Sequence, residues 1–222
     1  IKYRKQLVAL DRVVDIKNNG EHISPEDFRK TLEGKDPYVL IDVRNNYETK
    51  VGSFKGAEIP PCSTYREFND YARQLEERID KKNTKVLMYC TGGIRCETFS
   101  SVLKEAGFEK VQQLEGGVIN YGLKEGSKHW QGKLFVFDDR LTVPLSPEAT
   151  EVIGKCHFCG CPTESYYNCA NMDCNELFLA CPACLKEYTG TCQTSCKSAK
   201  RLRPYEQQNP HKPFRKAYNY FK

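Results

Sequence analysis

Residues 88–97 read Met-Tyr-Cys-Thr-Gly-Gly-Ile-Arg-Cys-Glu, and the order of chemical types within them decides how the chain is read. The run Lys85-Val86-Leu87-Met88-Tyr89 ends at Cys90, a loop holding Gly92 and Gly93 follows, and Arg95 opens an amphipathic stretch. That order predicts a buried strand delivering a thiol into a tight loop closed by a helix N-terminus. The N–H groups of Thr91, Gly92, Gly93, Ile94 and Arg95 then converge on one anion, and the helix dipole adds to their field. Glycine lets the backbone curl without a Cβ clash. Arg95 brings a permanent cation with a planar fork of donors. Cys90 is therefore expected to ionise below its ordinary range. It is expected to act as a nucleophile or persulfide carrier in a pocket open to substrate. The bland reading, a buried structural thiol, fits poorly with the Thr-Gly-Gly-Ile-Arg that follows.

Working outward, helix and strand signals alternate. Ser24-Pro25-Glu26-Asp27 supplies an N-cap, a first-turn proline and early acids, and Gly34 stops that helix. Tyr38-Val39-Leu40-Ile41 is a buried strand ending at Asp42-Val43-Arg44. The spacing of Tyr65, Phe68, Ala72, Leu75 and Ile79 predicts a helix over 64–80, and Phe99, Val102, Leu103 and Ala106 predict the next, closed by Gly107. Val111 to Leu114 is a short strand, and Gly116-Gly117 leads into a further helix. This alternation predicts an α/β fold, a parallel sheet flanked by helices. Sites in such sheets form beyond the C-terminal strand ends, where Cys90 and Asp42 both fall.

The chain has 222 residues, enough for one domain and a small second unit. Its hydrophobic share is 39%, and no apolar run approaches membrane-spanning length. No secretory signal opens it. The net charge of +5 is uneven: Lys197 to Lys222 holds eight Lys/Arg against the single acid Glu206, a surplus of +7, leaving −2 for the remainder. Tyr205, Phe214, Tyr218, Tyr220 and Phe221 are interleaved there. Basic and aromatic residues together suit nucleic-acid phosphates and stacked bases; a solvated tail is the alternative. The expected parts are a connector over 1–21, a catalytic domain over 22–143, a cysteine-rich module over 144–196 and a basic aromatic tail over 197–222.

Nine of the twelve cysteines lie between Cys156 and Cys196. A catalytic thiol at Cys90 argues for a reducing, cytoplasmic setting, where clustered cysteines read as metal ligands rather than disulfides. Cys156 and Cys159, Cys169 and Cys174, Cys181 and Cys184, and Cys192 and Cys196 form four close pairs. Two tetrahedral zinc sites would use all eight, with Cys161 left over. Neighbouring pairs sharing an ion and alternate pairs interleaving are both open, and a mixture of disulfides and free thiols is the competing reading. Closed sites of this kind are structural and brace a segment too short for its own core.

Val39-Leu40-Ile41-Asp42-Val43-Arg44, Glu48, Gly52, Gly56-Ala57 and Ile59-Pro60 together resemble the first signature of the rhodanese superfamily. Cys90 to Arg95 resembles its active-site loop and Leu114-Glu115-Gly116-Gly117 its last motif, over roughly residues 22–125. Ser53 stands where that superfamily often has His. Adding Cys96-Glu97, Phe135-Val136-Phe137-Asp138-Asp139-Arg140 and the cysteine-rich segment, nearly the whole chain is similar to the bacterial rhodanese-like tRNA uridine hydroxylases.

The resemblance implies a rhodanese-like fold, a persulfide at Cys90 and oxygen-dependent 5-hydroxylation of the wobble uridine. It implies tRNA as partner and molecular oxygen as co-substrate. It also implies a ferredoxin-like domain ahead of residue 1 that this chain lacks or has lost. No flavin or nicotinamide motif is present in the sequence, and the electron donor is unspecified. The alternative function is a sulfurtransferase moving sulfane sulfur through a Cys90 persulfide, which the loop fits equally well.

Other residues carry lesser expectations. Asp42 and Arg44 read as an internal pair, and Cys62 as a loop thiol. Cys96 reads either as a resolving thiol or as part of the packing of its helix. Trp130 reads as core or a base-stacking platform. Asp138, Asp139 and Arg140 read as a turn after a Leu134–Phe137 strand or as the site entrance.

Overall fold

A computed structural model describes residues 8, 10 and 12–205. The chain divides into two compact units. The first holds the chain up to Thr49, Ser53–Gln131 and Leu145–Ala149; the second holds Lys50–Gly52, Gly132–Pro144 and the chain from Thr150 on.

The first unit runs β1 (Glu21–Ile23), α1 (Pro25–Glu33), β2 (Tyr38–Asp42), α2 (Asn46–Thr49), β3 (Gly52–Phe54), α3 (Phe68–Arg78), β4 (Lys85–Tyr89), α4 (Ile94–Glu105), β5 (Val111–Leu114), α5 (Gly117–Glu125) and β6 (Trp130–Gly132). β3 and β6 lie at its margin, their Gly52 and Gly132 belonging to the second unit. β1, β5, β4 and β2, in that order, form a parallel sheet, with Ile41 opposite Met88 and Asp42 opposite Tyr89. β4 is central, which explains its unbroken apolar run: a strand covered on both faces has no polar side. Val86 and Met88 pack with Phe68, Leu75, Phe99 and Leu103 from α3 and α4. Tyr89 turns to the opposite face, where its ring lies 4.8 Å from Phe54, itself 4.8 Å from Tyr121 of α5 and 5.4 Å from Phe28 of α1.

Local signals behave as their chemistry dictates. Ser24 Oγ accepts the Asp27 N–H at 3.1 Å and starts α1 with Pro25 in its first turn. The helix expected over 64–80 begins instead with a 3-10 turn, Tyr65–Glu67, and becomes α-helical only at Phe68. The Glu67 carboxylate accepts from the Ser63 N–H at 2.9 Å and the Thr64 N–H at 3.2 Å, and so holds the entry turn.

The second unit holds β7 (Leu134–Phe135), β8 (Thr142–Val143), β9 (Tyr166–Asn168), β10 (Leu177–Leu179) and the short helix α6 (Pro182–Glu187). The strand expected over Leu134–Phe137 stops at Phe135, because the Asp138 carboxylate accepts from the Arg140 N–H at 3.0 Å and builds a turn. β9 and β10 pair antiparallel, Asn168 opposite Leu177 and Tyr166 opposite Leu179. Tyr167, Phe178, Ala180 and Leu185 form a small core whose other members are Cys169, Cys192 and Cys196. Most of the basic aromatic tail, from residue 206 on, lies outside the described residues.

Candidate active site and thiol clusters

β4 delivers Cys90 to the C-terminal edge of the sheet, and α4 starts four residues later at Ile94. Gly93, the N-cap of α4, has φ +90, a left-handed conformation that glycine adopts without strain. It turns the Gly93 N–H onto Cys90 Sγ at 3.1 Å. The N–H groups of Arg95 and Cys96 also reach that sulfur.

The loop is seated by the start of α5. The Val118 N–H donates to the Cys90 carbonyl at 2.9 Å and the Ile119 N–H to the Thr91 carbonyl at 3.1 Å. A Cβ at Gly117 would stand 2.5 Å from the Cys90 carbonyl oxygen and 2.7 Å from the Gly93 nitrogen. Gly117 is thus required for close backbone approach, beyond turning the chain into α5. At Gly92, by contrast, an added Cβ would meet nothing within 4 Å.

Arg95 is not aimed at an open anion site. Its guanidinium grips Glu48 with two nitrogens, Nη2 to Oε1 at 2.9 Å and Nη1 to Oε2, and Nη2 also donates to Thr91 Oγ1 at 3.0 Å. The Thr91 hydroxyl in turn donates to Glu48 Oε1 at 3.0 Å. Glu48 is fully buried, and its carboxylate fixes both the cation and the loop. Sequence reading placed Glu48 only within a signature; its separation from Arg95 along the chain hid its role.

Cys90 is held down to about 6, first by the Cys96 thiol donating to it, then by the Arg95 charge and the N–H groups of Cys96 and Arg95. Burial opposes them and loses. Burial, reinforced by the neighbouring Cys90 sulfur, pushes Cys96 well above the usual thiol range, so it remains a donor. The depressed ionisation matches the expectation from sequence; its leading cause, Cys96, does not. The expectation of a pocket open to substrate needs correction, since Cys90 is only 1% exposed. The physical reason is the wrap of the loop, which must enclose the sulfur to bring its amides to bear.

The remaining candidates are structural. Arg44 and Asp42 form a fully buried fork, Nε–Oδ1 at 2.8 Å and Nη2–Oδ2 at 2.6 Å, and Tyr89 donates its hydroxyl to Asp42 Oδ2 at 2.6 Å. Trp130 packs 5.2 Å from Phe54, with the Arg44 guanidinium 5.1 Å from its ring, which makes it core rather than a stacking platform. Cys62 is buried, and burial pushes its thiol up to about 11.

In the second unit, two groups of cysteines can hold a metal. The sulfurs of Cys156, Cys159, Cys161 and Cys181 all lie within 4.8 Å of one another, and so do those of Cys169, Cys174, Cys192 and Cys196. Alternate pairs therefore come together. Cys161, left over on spacing alone, joins the first group, and Cys184 lies against three of its members.

A family model described as the rhodanese-like domain matches residues 24–123, and one described as rhodanase C-terminal matches residues 131–197. The chain is 58% identical over 222 residues to the tRNA uridine(34) hydroxylase of Protochlamydia amoebophila, covering 100% of this chain and 69% of that protein. It is 50% identical over 220 residues to the tRNA uridine(34) hydroxylase of Chlamydia abortus, covering 98% and 67%. A solved rhodanese-like domain from Anabaena is 20% identical with a TM-score of 0.43, over 59% of this chain and 86% of that one.

Proposed function

Because the chain belongs to the tRNA uridine(34) hydroxylase family and carries a rhodanese-like domain followed by a cysteine-rich region, we propose that it hydroxylates C5 of the wobble uridine of tRNA. The reaction is oxygen-dependent and runs through Cys90, carried as a persulfide. The observation that supports this most is a sulfur ionising at about 6 inside a cradle of amides, with Cys96 as donor and Arg95 clamped by Glu48 nearby.

A thiolate or persulfide of this kind adds to the electron-poor C6 of a uracil ring and leaves C5 rich in electrons, ready for an oxidant. Replacing C–H by C–OH takes one atom from dioxygen. The second atom leaves as water, so the reaction draws two electrons from an external donor. The chain's own groups keep the sulfur ionised and hold the loop. Zinc in the cysteine-rich unit is structural in this scheme, since a shell of four thiolates leaves no position for substrate. No helix among the described residues is long and apolar enough to cross a membrane, and the proposed setting is the cytoplasm, with tRNA.

Nucleoside mass spectrometry of tRNA tests the reading. Cells lacking the protein should lose 5-hydroxyuridine derivatives, the wild-type chain should restore them, and Cys90→Ala should not. Full restoration by Cys90→Ala would refute the role of that sulfur. The second reading, sulfane-sulfur transfer, is favoured by the same cradle, which holds a persulfide equally well. It predicts unchanged nucleosides together with thiosulfate:cyanide transfer that Cys90→Ala abolishes.

A further inference from the structure

We propose that the cysteine-rich unit is a two-zinc module of interleaved sites, one closed by four thiolates and the other served by five, with Cys161 and Cys184 exchanging at its fourth position. The argument concerns the second unit alone and is independent of the chemistry at Cys90.

Sulfur separations distinguish metal from disulfide. Cys159 and Cys181 are 3.8 Å apart, and Cys174 and Cys192 are 3.6 Å apart. A disulfide requires about 2.0 Å. A tetrahedron with Zn–S bonds of about 2.3 Å has S···S edges of about 3.8 Å. One edge of each group thus already sits at the spacing of a tetrathiolate shell, and the other edges are within 4.8 Å.

The register of the β9–β10 hairpin dictates which pairs meet. Asn168 lies opposite Leu177 and Tyr166 opposite Leu179. Cys169 and Cys174 therefore flank the turn end of the hairpin, while Cys181 leaves its open end. The turn end receives Cys192 and Cys196; the open end receives Cys156, Cys159 and Cys161. First and third pairs share one ion, second and fourth the other, and the two ions tie the hairpin from both ends.

The two groups repeat one device. The Cys181 N–H points at Cys156 Sγ at 3.4 Å, and the Cys192 N–H at Cys169 Sγ at 3.4 Å. Further donors follow: the Cys184 N–H to Cys181 Sγ at 3.5 Å, and Asn171 Nδ2 to Cys196 Sγ at 3.5 Å. Four thiolates on Zn²⁺ leave a net charge of −2, and N–H groups aimed at sulfur offset that charge. A packed set of neutral thiols has no such need.

The groups differ in number. The turn-end site has four sulfurs. The open-end site has Cys156, Cys159 and Cys181 together with two candidates for the last position: Cys161, whose sulfur lies within 4.8 Å of those three, and Cys184, which packs with Cys156 and Cys181. Zinc takes four. Exchange is a substitution without redox: the Zn–S bond to one thiolate breaks as the other forms, and the proton of the incoming thiol passes to the outgoing sulfur.

Zinc content of the purified full chain, measured by elemental mass spectrometry, tests the proposal. Wild type should hold two ions, Cys161→Ser and Cys184→Ser two each, the double variant one, and Cys169→Ser one. Wild type holding fewer than two, or either open-end single variant dropping to one, would overturn it. A measurement on unmodified protein guards against misfolded variants. Brief native treatment with iodoacetamide should place one label among the five open-end thiols, on Cys161 in some molecules and Cys184 in others. Label confined to one of these two, or disulfides in place of zinc, would equally overturn the proposal.

Discussion

At the scale of single residues, the site turns on two sulfurs with opposite ionisation. Cys90 is held down to about 6 while its neighbour Cys96 is held up, so one is a thiolate when the other is still a donor. The fold favours the ionised form of Cys90. The stabilisation this brings is therefore complete above the ordinary thiol range and is lost as pH falls through about 6. Two measurements follow. The alkylation rate of Cys90 in wild-type protein, followed by peptide mass spectrometry, should rise with pH about a midpoint near 6. Cys96→Ala should move that midpoint upward by a unit or more, about 1.4 kcal/mol for each unit, and Cys96→Ser, which keeps a donor, should move it less. An unmoved midpoint in Cys96→Ala would assign the effect to the loop amides and Arg95 alone.

At the scale of elements, the Cys90 loop is a joint between β4, α4 and the start of α5. Gly117 is the contact that lets α5 approach, with φ +65 and no room for a Cβ beside the Cys90 carbonyl. Gly117→Ala should cost about 1–3 kcal/mol from the left-handed backbone, plus the displacement needed to relieve the overlap. Denaturant titration should show that loss, and the Cys90 midpoint should rise as the loop shifts. Gly92→Ala, which meets nothing within 4 Å, is the control, with an expected change of about 0.5 kcal/mol or less. Two neighbouring loop glycines that look alike in sequence thus differ in need: Gly93 supplies a left-handed cap to α4 and Gly92 does not.

At the scale of the whole molecule, charge is segregated. The tail from Lys197 carries +7 while everything before it sums to −2. If that tail grips tRNA phosphates, affinity should fall steeply with salt. Residues 206–222 contain four Lys/Arg, Lys212, Arg215, Lys216 and Lys222. Ending the chain at Tyr205 should therefore weaken tRNA binding and flatten the log–log salt slope by about 3, measured by filter binding across a salt series. An unchanged slope would move the phosphate contacts elsewhere on the chain.

The sequence alone determined the features whose cause is local. The strand–loop–helix around Cys90 was legible because an apolar run, two glycines and an arginine follow one another within a dozen residues. The alternation of β2, α3, β4, α4 and β5 was legible because periodicity is a neighbourhood property, and close cysteine spacing pointed to clustered thiols for the same reason. Only the tertiary structure decided what depends on segments distant in the chain. Glu48 clamps Arg95 from 47 residues away. Gly117 seats the Cys90 loop from another element, and loop closure buries the thiol that local chemistry had left open. The hairpin register, not the spacing of the cysteines, selects which pairs face one another. These are consequences of long-range closure, in which backbone registers and packed faces set distances that no stretch of residues encodes by itself.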